Sequence, residues 1–243
     1  MAGTPNRPVY KPTFCPKCGK QFEYGVYAQI HIPGDHKLKK QLLNKTLFFP
    51  TCPYCKEQFK IKPNCIYINE LKLEAFAVTD APNTEELKEL LIKGDGEGFF
   101  QNIPDDDPMS MLRGMCKRRI VREVDSFREK ILLSDNNYDD RIIELMKLSL
   151  SQLMEKQARK PVYRIFLDNT SGNILEFVAI MGARPPFENI SVKTAASVYT
   201  YDWKKYGSKL RKPGEDEYIY TDQNWARKSG LLEDEDPGFV IPF

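Results

Sequence analysis

The sequence predicts an α+β protein: a zinc-ribbon-like, β-rich N-terminal domain with an inserted strand and helix, then a helical hairpin and a small antiparallel α+β region. Three observations carry this. Two C-P-x-C pairs punctuate the first 55 residues, at Cys15–Cys18 and Cys52–Cys55. Apolar residues recur at helical spacing between about 109 and 158. Two β-prone runs flank a turn at Asn169–Gly172. The domain boundaries that follow are 10–103 for the metal-binding part, 109–230 for the helical and α+β part, and 231–243 for an acidic tail.

The 243 residues suffice for one large or two small cores, with 41% hydrophobic and 12% aromatic residues against 29% charged. No apolar run reaches the roughly 18 residues a membrane helix needs. Met1 to Phe14 holds no apolar signal-peptide core, so the expectation is a cytoplasmic protein. Charge is unevenly spread. Residues 1–78 carry 12 Lys/Arg against 5 Asp/Glu, and residues 79–243 carry 24 against 29.

Cysteine spacing carries the chemistry. A two-residue gap lets both sulfurs of a tight knuckle face one cation, and two knuckles supply the four thiolates of tetrahedral zinc. Gly19 follows the first pair, where the knuckle needs positive φ, and Lys56 stands in that place in the second. Two disulfides need an oxidising compartment, and a redox CxxC normally occurs once, so both fit less well. An iron–sulfur cluster also accepts four thiolates and stays open as an alternative. Four cysteines close a structural site, so His31 and His36 read as polar residues beside a turn. Cys65 and Cys116 read as small buried hydrophobes, on a strand and a helix respectively.

The elements follow in order. Residues 19–51 between the knuckles exceed the 15–20 residues of a compact ribbon, so they hold structure of their own. Gln21 to Ile32 reads as a strand and Pro33-Gly34 as a turn. Asp35 caps a helix carrying Leu38, Leu42 and Leu43 that ends near Asn44. Ile61, Cys65, Tyr67 and Ile68 suggest one strand, and Leu71, Leu73, Ala75 and Phe76 its neighbour. A short helix near 83–93, the Gly94–Gly98 loop and the acidic Pro104–Pro108 stretch separate the halves. A helix over about 109–132 follows, striped by Leu112, Met115/Cys116, Ile120, Val124, Phe127 and Ile131. A second covers about 138–158, after a turn at Ser134–Asn137. Met109, Met111, Met115, Met146 and Met154 read as core filler. Val162–Leu167 and Ile174–Met181 form the hairpin. A helix is expected near 194–210, a strand at Tyr218–Tyr220, and an Asp222-capped helix around Trp225.

Several of these residues also resemble a known family. The double C-P-x-C, the Asp35-His-Lys-Leu38 helix before Leu47-Phe-Phe, and the extended Asn64-Cys-Ile-Tyr67 stretch are similar to the bacterial and archaeal CpXC-domain family. Asp140-Arg-Ile-Ile-Glu-Leu-Met-Lys147 and the Trp225-Ala226 pair look like its helical continuation. The resemblance covers roughly residues 10–130. It implies four zinc ligands, Cys15, Cys18, Cys52 and Cys55, on a small zinc-ribbon-like fold. It implies no catalytic residue.

An active site is not legible. There is no Gly-x-Ser-x-Gly, no Walker A loop and no His-Glu-x-x-His, and four thiolates leave zinc no open position. Asp105–Asp107 read as a solvated linker. Two binding functions remain. The first is a protein-interaction module or regulator, whose partner is another protein. The second is a nucleic-acid-binding ribbon that uses Lys37, Lys39, Lys40 and Lys45, with Phe22, Tyr24, Tyr27, Phe48, Phe49, Tyr54 and Phe59 interleaved nearby. The first ranks higher, because the acidic second half and Glu233–Asp236 oppose phosphates.

Overall fold

The computed structural model describes residues 6–79, 85, 116–210 and 220–232. Among these residues, nine strands in three sheets accompany five α-helices, which is the mixed α+β class expected. Two compact units divide them, one of 6–79 with 116–128 and one of 129–210 with 220–232. No described helix is long and apolar enough to cross a membrane.

The first unit opens with an antiparallel hairpin of β1 (Val9–Phe14) and β2 (Gln21–Val26), closed by the first knuckle, with Phe14 opposite Gln21. The single strand expected over 21–32 is in fact two. After Val26 the chain leaves β1, and β3 (Gln29–Ile32) joins a second sheet ordered β3-β4-β5-β6. There β4 (Cys65–Asn69) runs parallel to β3 and antiparallel to β5 (Glu74–Val78), which lies parallel to β6 (Lys117–Val121). A parallel pair needs a crossover, and the β3–β4 crossover contains helix α1 (His36–Leu43) and the second knuckle. Helix α1 buries Leu38 and Leu42. Asp35 holds its N-cap position, yet the Asp35 carboxylate makes no capping bond and instead accepts the His31 N–H at 2.9 Å.

The helix expected over 109–132 is corrected. Residues 109–115 lie outside the described set, 117–121 form β6, and helix α2 spans only Val124–Asp135. Cys116 therefore precedes a strand and is not helical. The reason is burial on both faces. Arg118 to Val121 are all buried, and a strand covered on both sides shows no alternation. Its Ile120 falls into step with the stripe of the helix that follows, while pairing to β5 decides the conformation.

The second unit takes the end of α2 and helix α3 (Asp140–Ala158). The sheet β7 (Val162–Ser171), β8 (Ile174–Met181) and β9 (Glu188–Ala195) follows, with helices α4 (Ala196–Tyr206) and α5 (Gln223–Lys228). Strand β8 alternates cleanly, burying Leu175, Phe177, Ala179 and Met181 into one core with Ile142, Leu145 and Met146 of α3. Asp139 caps α3 by accepting the Arg141 N–H at 2.9 Å, and Asp222 caps α5 through the Trp225 N–H at 2.9 Å. The expected hairpin is present, with β9 as an added third strand. Tyr220 lies in a turn rather than a strand. The expected helix at 83–93, the loop 94–98, the boundary at 104–108, residues 218–219 and the tail from 233 lie outside the described residues.

Candidate metal centre

Both C-P-x-C pairs sit at hairpin tips with the same backbone wiring. In the first, the Gly19 N–H donates to the Cys15 carbonyl at 2.9 Å and the Cys15 N–H to the Lys20 carbonyl at 3.0 Å. In the second, the Lys56 N–H donates to the Cys52 carbonyl at 3.0 Å and the Cys52 N–H to the Glu57 carbonyl at 2.8 Å. Each tip ends in a left-handed residue, Gly19 at φ 69 and Lys56 at φ 61. A glycine takes that conformation freely, whereas for Lys56 it costs roughly 1–2 kcal/mol. The Lys56 ammonium folds back onto the Pro53 carbonyl at 3.0 Å. The Thr51–Gln58 bridge closes the second tip.

This wiring turns four sulfurs to one point. The Sγ atoms of Cys15, Cys18, Cys52 and Cys55 all lie within 4.8 Å of one another. Cys15 and Cys55 stand 3.5 Å apart, Cys18 and Cys52 3.7 Å. Metal–sulfur bonds of about 2.3 Å in a tetrahedron set the sulfurs about 3.8 Å apart, whereas a disulfide needs about 2.05 Å. The cluster therefore has the dimensions of a tetrathiolate site, and all six cysteines are free. Each knuckle contributes one buried sulfur, Cys15 and Cys52, and one nearer solvent, Cys18 and Cys55.

The electrostatics suit a cation. Burial raises the Cys52 thiol, but the N–H groups of Cys55 and Tyr54 and the neighbouring thiols outweigh it and hold Cys52 down at about 6. At Cys55 the Glu57 N–H lowers the thiol. Burial and hydrogen bonds with Cys15, Cys18 and Cys52 outweigh that, pushing Cys55 up to about 12. The Cys52 and Cys55 thiols titrate together, and the second negative charge is harder to add than the first. A divalent cation removes that penalty by displacing the protons. Lys17 pairs with Glu57 across the two knuckles at 2.8 Å, and the Lys20 ammonium lies 4.8 Å from the Tyr54 ring.

The remaining candidates sit elsewhere. Neither histidine belongs to the metal-competent cluster. His31 lies on β3 with its Nδ1 3.9 Å from Glu70, and His36 starts α1 exposed. Cys65 is fully buried on β4, where desolvation pushes its thiol far up, and burial raises Cys116 as well. Lys37, Lys39 and Lys40 ride on α1 and Lys45 follows it, with Lys39 stacked 5.9 Å from the Tyr67 ring. Most of the rings expected to serve these lysines are half-buried, and Tyr54 alone of the seven is exposed. Phe48 is fully buried, Phe22 packs edge-on to Phe59 at 6.2 Å, and the Tyr24 hydroxyl accepts the Phe48 N–H at 3.1 Å. Sequence reasoning missed the exposed rings of β1, Tyr10 and Phe14. Their signal was present in the alternation Tyr10-Lys-Pro-Thr-Phe14 next to the first knuckle.

The family model described as CpXC protein covers residues 13–147, which contain all four clustered cysteines. No curated protein and no solved structure matches the chain.

Proposed function

The chain belongs to the CpXC protein family, and from that premise we propose that it is a zinc-binding interaction module whose four cysteines play a structural part. The observation that supports this is the convergence of Cys15, Cys18, Cys52 and Cys55 within 4.8 Å at the tips of two hairpins. Zinc suits four thiolates at tetrahedral spacing, has no redox chemistry to manage, and keeps no open position when four protein ligands surround it. Such an ion fastens the tip of the β1–β2 hairpin to the second knuckle and so fixes a zinc-ribbon-like platform. Its contribution is folding energy rather than catalysis. A cytoplasmic setting, where thiols stay reduced, suits this arrangement.

Elemental analysis of the purified chain tests the reading. The expected result is one zinc per chain, lost in Cys15→Ser. Visible absorbance with bound iron would indicate a cluster instead, and a metal-free, fully folded chain would refute the proposal.

A further inference from the structure

The first unit wears its aromatic residues in an unusual place. Strand β1 is exposed at every position except Thr13. Its alternation puts Tyr10, Pro12 and Phe14 on one face, and Val9, Lys11 and Thr13 on the other. Tyr10 is 65% and Phe14 63% exposed, and Tyr54 of the second knuckle is 56% exposed. Burying such rings is worth kilocalories, so leaving three of them open beside one rigid site marks a surface built to be covered. Tyr10 and Phe14 stand about 13 Å apart along the strand. Cys15 follows Phe14 directly, and its sulfur lies 3.5 Å from that of Cys55, which brings the Tyr54 knuckle alongside.

Gly25, opposite Tyr10, makes room for Pro8: a Cβ there would sit 2.9 Å from Pro8 and in ordinary contact, 3.5 Å, with the Tyr10 ring.

Charge identifies the occupant. Residues 6–62 carry 11 Lys/Arg against 3 Asp/Glu, an excess that outlasts the two negative charges of a zinc tetrathiolate. Lys17, Lys20 and Lys56 are exposed at the two knuckles, Lys17 paired with Glu57, whereas Lys11 lies on the face of β1 opposite the rings. The α1 quartet, by contrast, has no exposed ring among its described neighbours Phe48, Phe49 and Tyr67. An added peptide strand is a poor fit to β1, because Pro12 removes a backbone donor from it. Rings open to stacking, interspersed with cations, suit a polyanion that presents flat bases.

We propose that the two knuckle hairpins bind single-stranded nucleic acid, with bases stacking on Tyr10, Phe14 and Tyr54 and phosphates meeting Lys17, Lys20 and Lys56, the first in competition with Glu57. The proposal rests on the zinc-fastened platform above and takes up the nucleic-acid alternative, moved from the α1 lysines to the knuckle rings.

The test is fluorescence anisotropy of the zinc-loaded full chain with a short labelled oligothymidylate, with zinc content measured on the same sample. Binding is expected to weaken with salt at a log–log slope of about −2, three phosphates at about −0.7 each. Tyr10→Ala, Phe14→Ala and Tyr54→Ala should each lose about 10-fold in affinity while keeping their zinc. The quadruple variant Lys37→Gln, Lys39→Gln, Lys40→Gln, Lys45→Gln should lose less than any ring variant. Pairing the oligonucleotide with its complement should also weaken binding about 10-fold, because stacked bases are no longer available. Ring variants that bind like the parent would overturn the proposal. So would binding to polyglutamate with none to the oligonucleotide, which would assign the face to an acidic peptide. A zinc-loaded chain that binds neither overturns this inference alone, whereas a chain without zinc overturns the module on which it rests.

Discussion

Replacing Lys147 with Met tests the least expected feature of the second unit, a charge network buried in its core. The Lys147 ammonium lies 3.0 Å from Glu129 and 2.9 Å from Glu144. The Lys130 ammonium lies 3.0 Å from Asp140 and 3.2 Å from Glu144, and donates to the Thr221 carbonyl at 2.8 Å. All five side chains are buried, and they comprise three carboxylates and two ammoniums. Methionine keeps the apolar stem of Lys147 but leaves Glu129 with the Leu167 N–H, at 2.7 Å, as its remaining hydrogen bond. Removing one partner of a buried pair costs about 3–5 kcal/mol, because an uncompensated charge stays behind. With urea slopes of about 1–3 kcal/mol per molar, the unfolding midpoint should fall by about 2 M. Trp203 and Trp225 are the two tryptophans of the chain and both lie in the second unit, so their fluorescence reports its unfolding directly. The pH response gives a second reading. Burial raises the Glu129 carboxyl, opposed by Lys147. The folded state then holds a proton that the unfolded state releases, so stability falls as pH rises through the raised value. Losing Lys147 strengthens that trend, and the deficit of the variant should shrink as the pH is lowered. A loss under 1 kcal/mol, or a deficit that grows on acidification, would refute the reasoning.

Three further outcomes follow from the same structure. Cys52→Ser should abolish metal binding and unfold the first unit, while the tryptophan signal of the second unit persists; a simultaneous loss of both signals would tie the two units into one cooperative transition. Asp222→Ala should cost about 1 kcal/mol in the second unit by freeing the Trp225 N–H, read from the same urea curves. Lys56→Gly should stabilise the zinc-loaded first unit by about 1 kcal/mol, because glycine accepts φ 61 without strain; thermal unfolding followed by zinc release would measure it.

Elements whose signal is local were readable in the sequence. Two-residue cysteine spacing and the Gly19 turn are properties of a few consecutive residues, and both knuckles close through bonds within one tip. The alternation of Leu175, Phe177, Ala179 and Met181, with the Asp222 cap of α5, is equally local. Elements that depend on a distant neighbour were not. Strand β6 shares its apolar period with α2 and is a strand only because β5 lies beside it. Strand β9 buries little besides Val192, so Glu188–Ala195 carries almost no hydrophobic pattern and is held by its pairing to β8. The break between β2 and β3 arises because their partners, β1 and β4, belong to different sheets. The buried network was hidden for a related reason. Glu144 and Lys147 look like a solvated pair on a helix face until α2 supplies Glu129 and Lys130 opposite them.

The candidate binding surface shows the same limit in its sharpest form. In the sequence, aromatic residues and lysines mingle from Phe22 to Lys62, and α1 seems the natural place for a polyanion. Exposure, however, is a tertiary property. Folding spends Phe48 on the core, locks the Tyr24 hydroxyl onto the Phe48 N–H and packs Phe22 against Phe59. Only Tyr54 of that group stays more than half open, and it is joined by Tyr10 and Phe14 from a segment with no lysine run to advertise it. Those two rings remain exposed because β1 pairs on one edge only, in a two-stranded sheet of its own. A two-stranded hairpin is marginal by itself in water. A metal shared by the two sulfurs at its tip and the two of the second knuckle would supply the rigidity it lacks, so removing that metal should disorder Tyr10 and Phe14 and abolish whatever binding they support.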